Sequence, residues 1–165
     1  MLGISTVGQE KNAMQPRLDF AKVAPDACQA MSALEACVHQ SGLESSLLEL
    51  VTTRASQING CAFCLDMHTK DARAQGETEQ RLYTLSAWRE TPFFSERERA
   101  ALAWTEALTN VADTHVPDDV YEVACKCFTE KELADLSLAV VAINGWNRLA
   151  VAFRKMPGTY RPPRP

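Results

Sequence analysis

Two cysteines three residues apart, Cys61 and Cys64, are followed at the next helical turn by His68 in the stretch Asn59-Gly-Cys-Ala-Phe-Cys-Leu-Asp-Met-His68. If the run from Cys61 onward is helical, these three side chains share one face, because residues three and four apart lie one above the other. Asn59-Gly60 reads as a break that starts a new helix, with both thiols in its first turns. That end of a helix carries partial positive charge and free N–H groups, which favour thiolate over thiol. A carboxylate, Glu49, lies one short helix upstream. Two close thiols, an imidazole to take a proton and a carboxylate to orient it are the parts of a dithiol redox site. Helix-end electrostatics favour Cys61 as the more acidic thiol, whereas a base one turn away at His68 favours Cys64. Spacing leaves both assignments open.

Each residue alone has a plainer explanation: His68 as an ordinary core or surface histidine, Glu49 as a solvated helix residue. The signal lies in the combination. Cys61, Cys64, His68 and Glu49 also make an acceptable tetrahedral zinc set. Structural zinc sites usually draw on two separated ligand pairs, however, and no second Cys/His pair occurs in the sequence.

The elements that must position these residues read as helices. The chain has 165 residues, of which 46% are apolar and 23% charged, enough for one globular domain with a single core. Pro25 suits the first position of a helix over about 27–39, in which Met31, Leu34 and Val38 form a buried stripe and Cys28 and Cys37 read as small core residues. A second helix over about 44–57 places Glu49 at the edge of its apolar side. The motif helix runs to about Ala74, with Gly76 as its stop, and Thr78 caps a helix holding Leu82, Leu85 and Trp88. Ser95-Glu-Arg-Glu98 and Thr129-Glu-Lys-Glu132 have the capping-box pattern, the second introducing a long apolar helix from about Leu133 to Phe153. Between them Pro117 opens a shorter helix carrying Cys125, which with Cys127 reads as structural. No alternating strand pattern appears, so the fold class is all-α with about seven helices.

Composition narrows the partners. The net charge is −4 with no basic cluster, which argues against nucleic acid. The longest strongly apolar stretch, Leu136 to Trp146, reads as too short to span a bilayer, and Met1 to Pro16 lacks the apolar run of a signal peptide, so the expected location is cytoplasmic, without a membrane. In that setting six cysteines do not imply a disulfide framework. The segment assignment is residues 1–15 as a flexible extension, 16–156 as the helical domain and 157–165 as a Pro-rich tail.

The Glu49 segment, Cys61-Ala-Phe-Cys64 and His68 resemble the core motif of the AhpD-like alkylhydroperoxidases, within the carboxymuconolactone decarboxylase superfamily. Pro16-Arg-Leu-Asp-Phe-Ala-Lys-Val-Ala-Pro25 and Ala142-Ile-Asn-Gly-Trp-Asn-Arg-Leu-Ala150 agree, so the similarity runs from about Met14 to Gly158, and the residues before it read as an extension or an upstream start. The resemblance implies an all-helical homo-oligomer, trimer or hexamer, that reduces hydroperoxides with its own cysteine pair. By analogy Cys64 attacks the O–O bond and becomes a sulfenic acid. Cys61 supplies a proton and then resolves that acid to a disulfide, and His68 accepts a proton together with Glu49. No flavin, haem or nicotinamide motif is visible, so no cofactor is expected. The electrons would come from a thiol or dithiol reductant, for which a lipoyl protein, a thioredoxin-like protein or a small thiol would serve. One departure is Phe63, which stands where the best-studied branch has a second histidine; weaker peroxidase activity or a different oxidant follows from that loss. A decarboxylase-branch activity, which needs no redox pair, and an oxidant-sensing role are the remaining alternatives.

Overall fold

Both capping boxes form. Ser95 Oγ accepts from Glu98 N while the Glu98 carboxylate accepts from Ser95 N, and Thr129 and Glu132 repeat the arrangement. These caps start two of the helices in the computed structural model, which describes residues 15–162. In chain order the helices are α1 (Phe20–Val23), α2 (Pro25–His39), α3 (Ser45–Asn59), α4 (Ala62–Ala74), α5 (Glu79–Thr84), α6 (Glu96–Thr109), α7 (Val111–Thr114), α8 (Asp118–Cys127) and α9 (Glu130–Phe153). A short 3-10 helix, Leu85–Glu90, joins α5 to α6. The described residues contain no strand, and the fold is all-α. Seven of the helices are six residues or longer, the number expected. The extension assigned to residues 1–15 lies, except for Gln15, outside the described residues.

The bundle is built around α9, which packs against α2, α3, α4 and α6. Its Leu136 is fully buried, and with Val140 it joins Leu47, Leu48 and Val51 of α3 and Ala100, Ala101 and Trp104 of α6 in the main core. As a helix this segment is longer than its apolar run suggests: 24 residues, containing an 18-residue window apolar enough, by length and composition, for a membrane span. Its buried side chains are spent on the other helices, which makes it the central core helix. A second apolar cluster gathers Leu50, Leu85, Trp88, Phe94 and Leu102.

Several local expectations change. The helix expected to carry Leu82, Leu85 and Trp88 breaks, because α5 ends at Thr84 and Ala87 has non-helical angles of φ −117° and ψ 31°. Residues three apart eclipse in a 3-10 helix, so Leu85 and Trp88 can both enter the second cluster. Cys37 is exposed and Cys28 half-buried, not core residues. In α2 only Val38 is buried, with Met31 and Leu34 half-covered, and Cys37 precedes Val38 by about 100° of helical rotation. Cys125 is likewise exposed and Cys127 half-buried.

The segment after α9 is irregular and lies along α4. Beyond Arg154, which takes a left-handed conformation at φ 53°, the chain runs back across α4. Gly158 N donates to Asp66 Oδ2 at 2.9 Å, Lys70 Nζ donates to the Tyr160 carbonyl at 3.3 Å, and Tyr160 Oη donates to Asp71 Oδ1 at 2.7 Å.

Candidate active site

The site begins where α3 stops. Gly60 adopts φ +65°, a left-handed conformation that suits glycine, and turns the chain from α3 into α4. Asn59 fixes this turn to the core helix: its Nδ2 donates to Asn144 Oδ1 and Asn147 Oδ1, both at 2.9 Å. Asn147, fully buried, donates in turn to Ser56 Oγ at 3.1 Å.

Cys61 is the N-cap of α4, and its sulfur accepts the Cys64 backbone N–H at 3.4 Å. The two sulfurs lie 2.8 Å apart as free thiols, both buried. The hydrogen bond from the Cys64 thiol, helped by the Cys64 backbone N–H, the Asn147 amide and the charge of His68, brings Cys61 down to about 7 against the opposing cost of burial. Cys64 is pushed well above the usual thiol range, first by that same shared hydrogen bond, then by burial and the Cys61 charge; Asn147 and Lys155 pull it back. The pair therefore gives up its first proton easily, with the negative charge resting on Cys61 and the second proton held between the sulfurs.

This ordering gives a direct measurement. Thiolate ultraviolet absorbance of the reduced protein is expected to show a step with its midpoint near 7, present above that pH and lost as pH falls through it. An unperturbed thiol titrates at about 8.5. Cys61→Ser should remove the step; a single transition near the ordinary value in the wild type contradicts the assignment.

Behind the thiols, His68 Nδ1 lies 3.0 Å from Glu49 Oε2. The carboxylate expected at a half-covered helix edge is in fact buried, as is His68, and Glu49 Oε1 also accepts from Gln75 Nε2 at 3.4 Å. With Nδ1 engaged, the buried Nε2 of His68 is left without a hydrogen-bond partner. Asp71 follows one turn later. Burial and the nearby charge of Glu49 push its carboxyl upward, while Tyr160 opposes them; burial and then the Asp71 bond push Tyr160 up to about 12.

The four sequence-derived candidates form two pairs, Cys61 with Cys64 and His68 with Glu49, and the charge of His68 acts on Cys61. The zinc set does not converge in the same way. The donor atoms that lie within 4.8 Å of one another are those of Glu49, His68 and Asp71, without either cysteine. A cavity of about 340 Å³ opens over Cys64, walled by Phe20, Phe63, Trp146, Lys155 and Tyr160; Cys61 does not line it. Asp71 was findable from the spacing that found His68, since it lies three residues further along the same helix. Lys155 and Tyr160 carry no local signal: Lys155 lies at the end of the expected domain, and Tyr160 in the segment read as a tail.

The sequence profile of the carboxymuconolactone decarboxylase family matches residues 25–107, from the start of α2 to near the end of α6, and so takes in all four candidates. The chain belongs to this family. A 44% identical protein of unknown function from Agrobacterium tumefaciens, proposed as the antioxidant defence protein AhpD, superposes with a TM-score of 0.86 over 88% of this chain and 100% of its own. YdfG of Bacillus subtilis, itself uncharacterised, is 42% identical over 84% of this chain and 95% of its own. The debrominase Bmp8, 18% identical, shares the fold at a TM-score of 0.74 over 84% of this chain and 74% of its own. The carboxymuconolactone decarboxylase family member described here is therefore AhpD-like in fold.

Proposed function

We propose that the protein is a thiol peroxidase of antioxidant defence, in which Cys61 and Cys64 cycle between dithiol and disulfide. The observation that carries this reading is the thiol pair at 2.8 Å with Cys64 on the cavity wall, and one turn along the same helix a buried imidazole whose Nε2 is unpartnered. The two cysteines divide the work. Cys61 holds the charge, and Cys64 has the access. When Cys64 passes its proton to the Cys61–His68 side, its sulfur attacks the terminal oxygen of a hydroperoxide and the O–O bond breaks. The departing alkoxide takes a proton and leaves as an alcohol, and Cys64 becomes a sulfenic acid. Cys61 then attacks the Cys64 sulfur and expels its oxygen as water. Two thiols and one hydroperoxide thus give one disulfide, one alcohol and one water. Glu49 orients His68 and stabilises it when it holds a proton.

A dithiol or thiol reductant returns the pair to its starting state. The similarity to the Agrobacterium protein supports the antioxidant assignment, while Bmp8, a debrominase, illustrates that a common fold serves other chemistry. Exposed Leu138, Val141 and Val151 on α9, beside the poorly covered α2, support assembly as a homo-oligomer.

The test is peptide-level mass spectrometry of reduced protein, seconds after one equivalent of organic hydroperoxide is added. A Cys61–Cys64 disulfide should appear quickly, and far more slowly in His68→Ala. Thiols that stay reduced in the wild type defeat the peroxidase reading. Binding of zinc at Glu49, His68 and Asp71 then becomes the reading to measure.

A further inference from the structure

The cavity over Cys64 has features that turnover of a small oxidant does not use. Its volume of about 340 Å³ is on the order of ten times the share of one water in the liquid, about 30 Å³, so hydrogen peroxide would occupy only a corner. The walls are aromatic: Phe20 and Trp146 lie with ring centroids 6.4 Å apart, and Phe63 adds a third ring. Such walls fit an apolar body of aryl or bulky alkyl character.

Two polar groups in this wall lack partners. The Trp146 indole Nε1–H is buried with no acceptor. Lys155 Nζ sits 4.1 Å from the Phe63 ring centroid and 5.6 Å from that of Phe20, a cation held against two aromatic faces. Among the described residues no carboxylate forms an ion pair with it. The other charge on the cavity wall, Glu35 of α2, acts on Tyr160. The wall therefore carries both a cation and a carboxylate.

We propose that this cavity selects organic hydroperoxides that join an aromatic or bulky apolar body to an anionic group, with Lys155 as the partner of that group. The inference rests on the peroxidase reading above. The acid group is held and not consumed, and the bonds made and broken are those already described.

The test compares kcat/KM for para-carboxycumene hydroperoxide and its methyl ester, with dithiothreitol as reductant and hydrogen peroxide as a third substrate. The acid should be preferred to the ester by about tenfold, the discrimination of one charge-assisted contact. Lys155→Met should collapse that ratio to about one, and Lys155→Arg should keep it. The ratio is the readout because it is insensitive to any general loss of activity or of folded protein. Equal use of acid and ester by the wild type, or a preference that survives Lys155→Met, overturns the inference and leaves the peroxidase reading standing. Failure to turn over any of the three hydroperoxides overturns both.

Discussion

Cys64→Ser is expected to lower kcat/KM for organic hydroperoxides by on the order of 10³ or more, with the fold intact. Serine keeps the shape of the side chain and its hydrogen-bonding capacity toward Cys61, but its oxygen is a far weaker nucleophile toward peroxide than a thiolate. Cys61→Ser should behave differently. Cys64 still borders the cavity, so one equivalent of hydroperoxide is consumed in a burst. The sulfenic acid then has no resolving thiol, and the enzyme stalls until an external thiol attacks it. Pre-steady-state kinetics of the two variants, read with a sulfenic-acid probe, separate the roles. A burst in Cys64→Ser and none in Cys61→Ser reverses the assignment and gives the attack to the thiol of lower pKa at the helix N-cap.

Glu49→Gln is the second large effect. The buried carboxylate lies 3.0 Å from His68 Nδ1, which orients the ring, leaves Nε2 unpartnered and stabilises the imidazole when it takes a proton. A neutral amide of the same size can occupy the position but gives no charge to an imidazolium in a buried site. Turnover is expected to fall about 10²-fold or more, the usual contribution of a positioned acid–base group. Thermal melting should change little, since glutamine fills the same volume and can still accept from His68. Glu49→Ala tests the other half of the argument. It leaves His68 without its buried partner and should cost about 3 kcal/mol of stability as well as activity. Near-normal turnover in Glu49→Gln would make the residue structural and remove the relay from the mechanism.

What the sequence made legible was local. The two capping boxes and the stop at Gly60 each depend on residues within four of one another, and they appear in the fold, while Cys61, read as the first residue of the motif helix, is its N-cap with extended angles. Glu49 is 19 positions from His68, and its pairing is a product of α3 lying beside α4. Its place at the margin of an apolar stripe marked it as available, but could not show the burial that gives the carboxylate its effect. The assignment of Cys37 failed for a related reason. Apolar composition marks a helix face as coverable, and packing decides whether a neighbour covers it; α2 is left largely open to solvent. Asn147, Lys155 and Tyr160 reach the site from 83 or more positions beyond Cys64 through packing and a chain reversal, and no pattern in the motif points to them.

That reversal has a practical consequence. Residues 155–162 form a wall of the cavity without belonging to any helix, and they are fastened to α4 by a few side-chain contacts at Asp66, Lys70 and Asp71. Substrate scope can therefore be redesigned by exchanging this strip alone, as a cassette, while the bundle that holds the cysteines is left as it is.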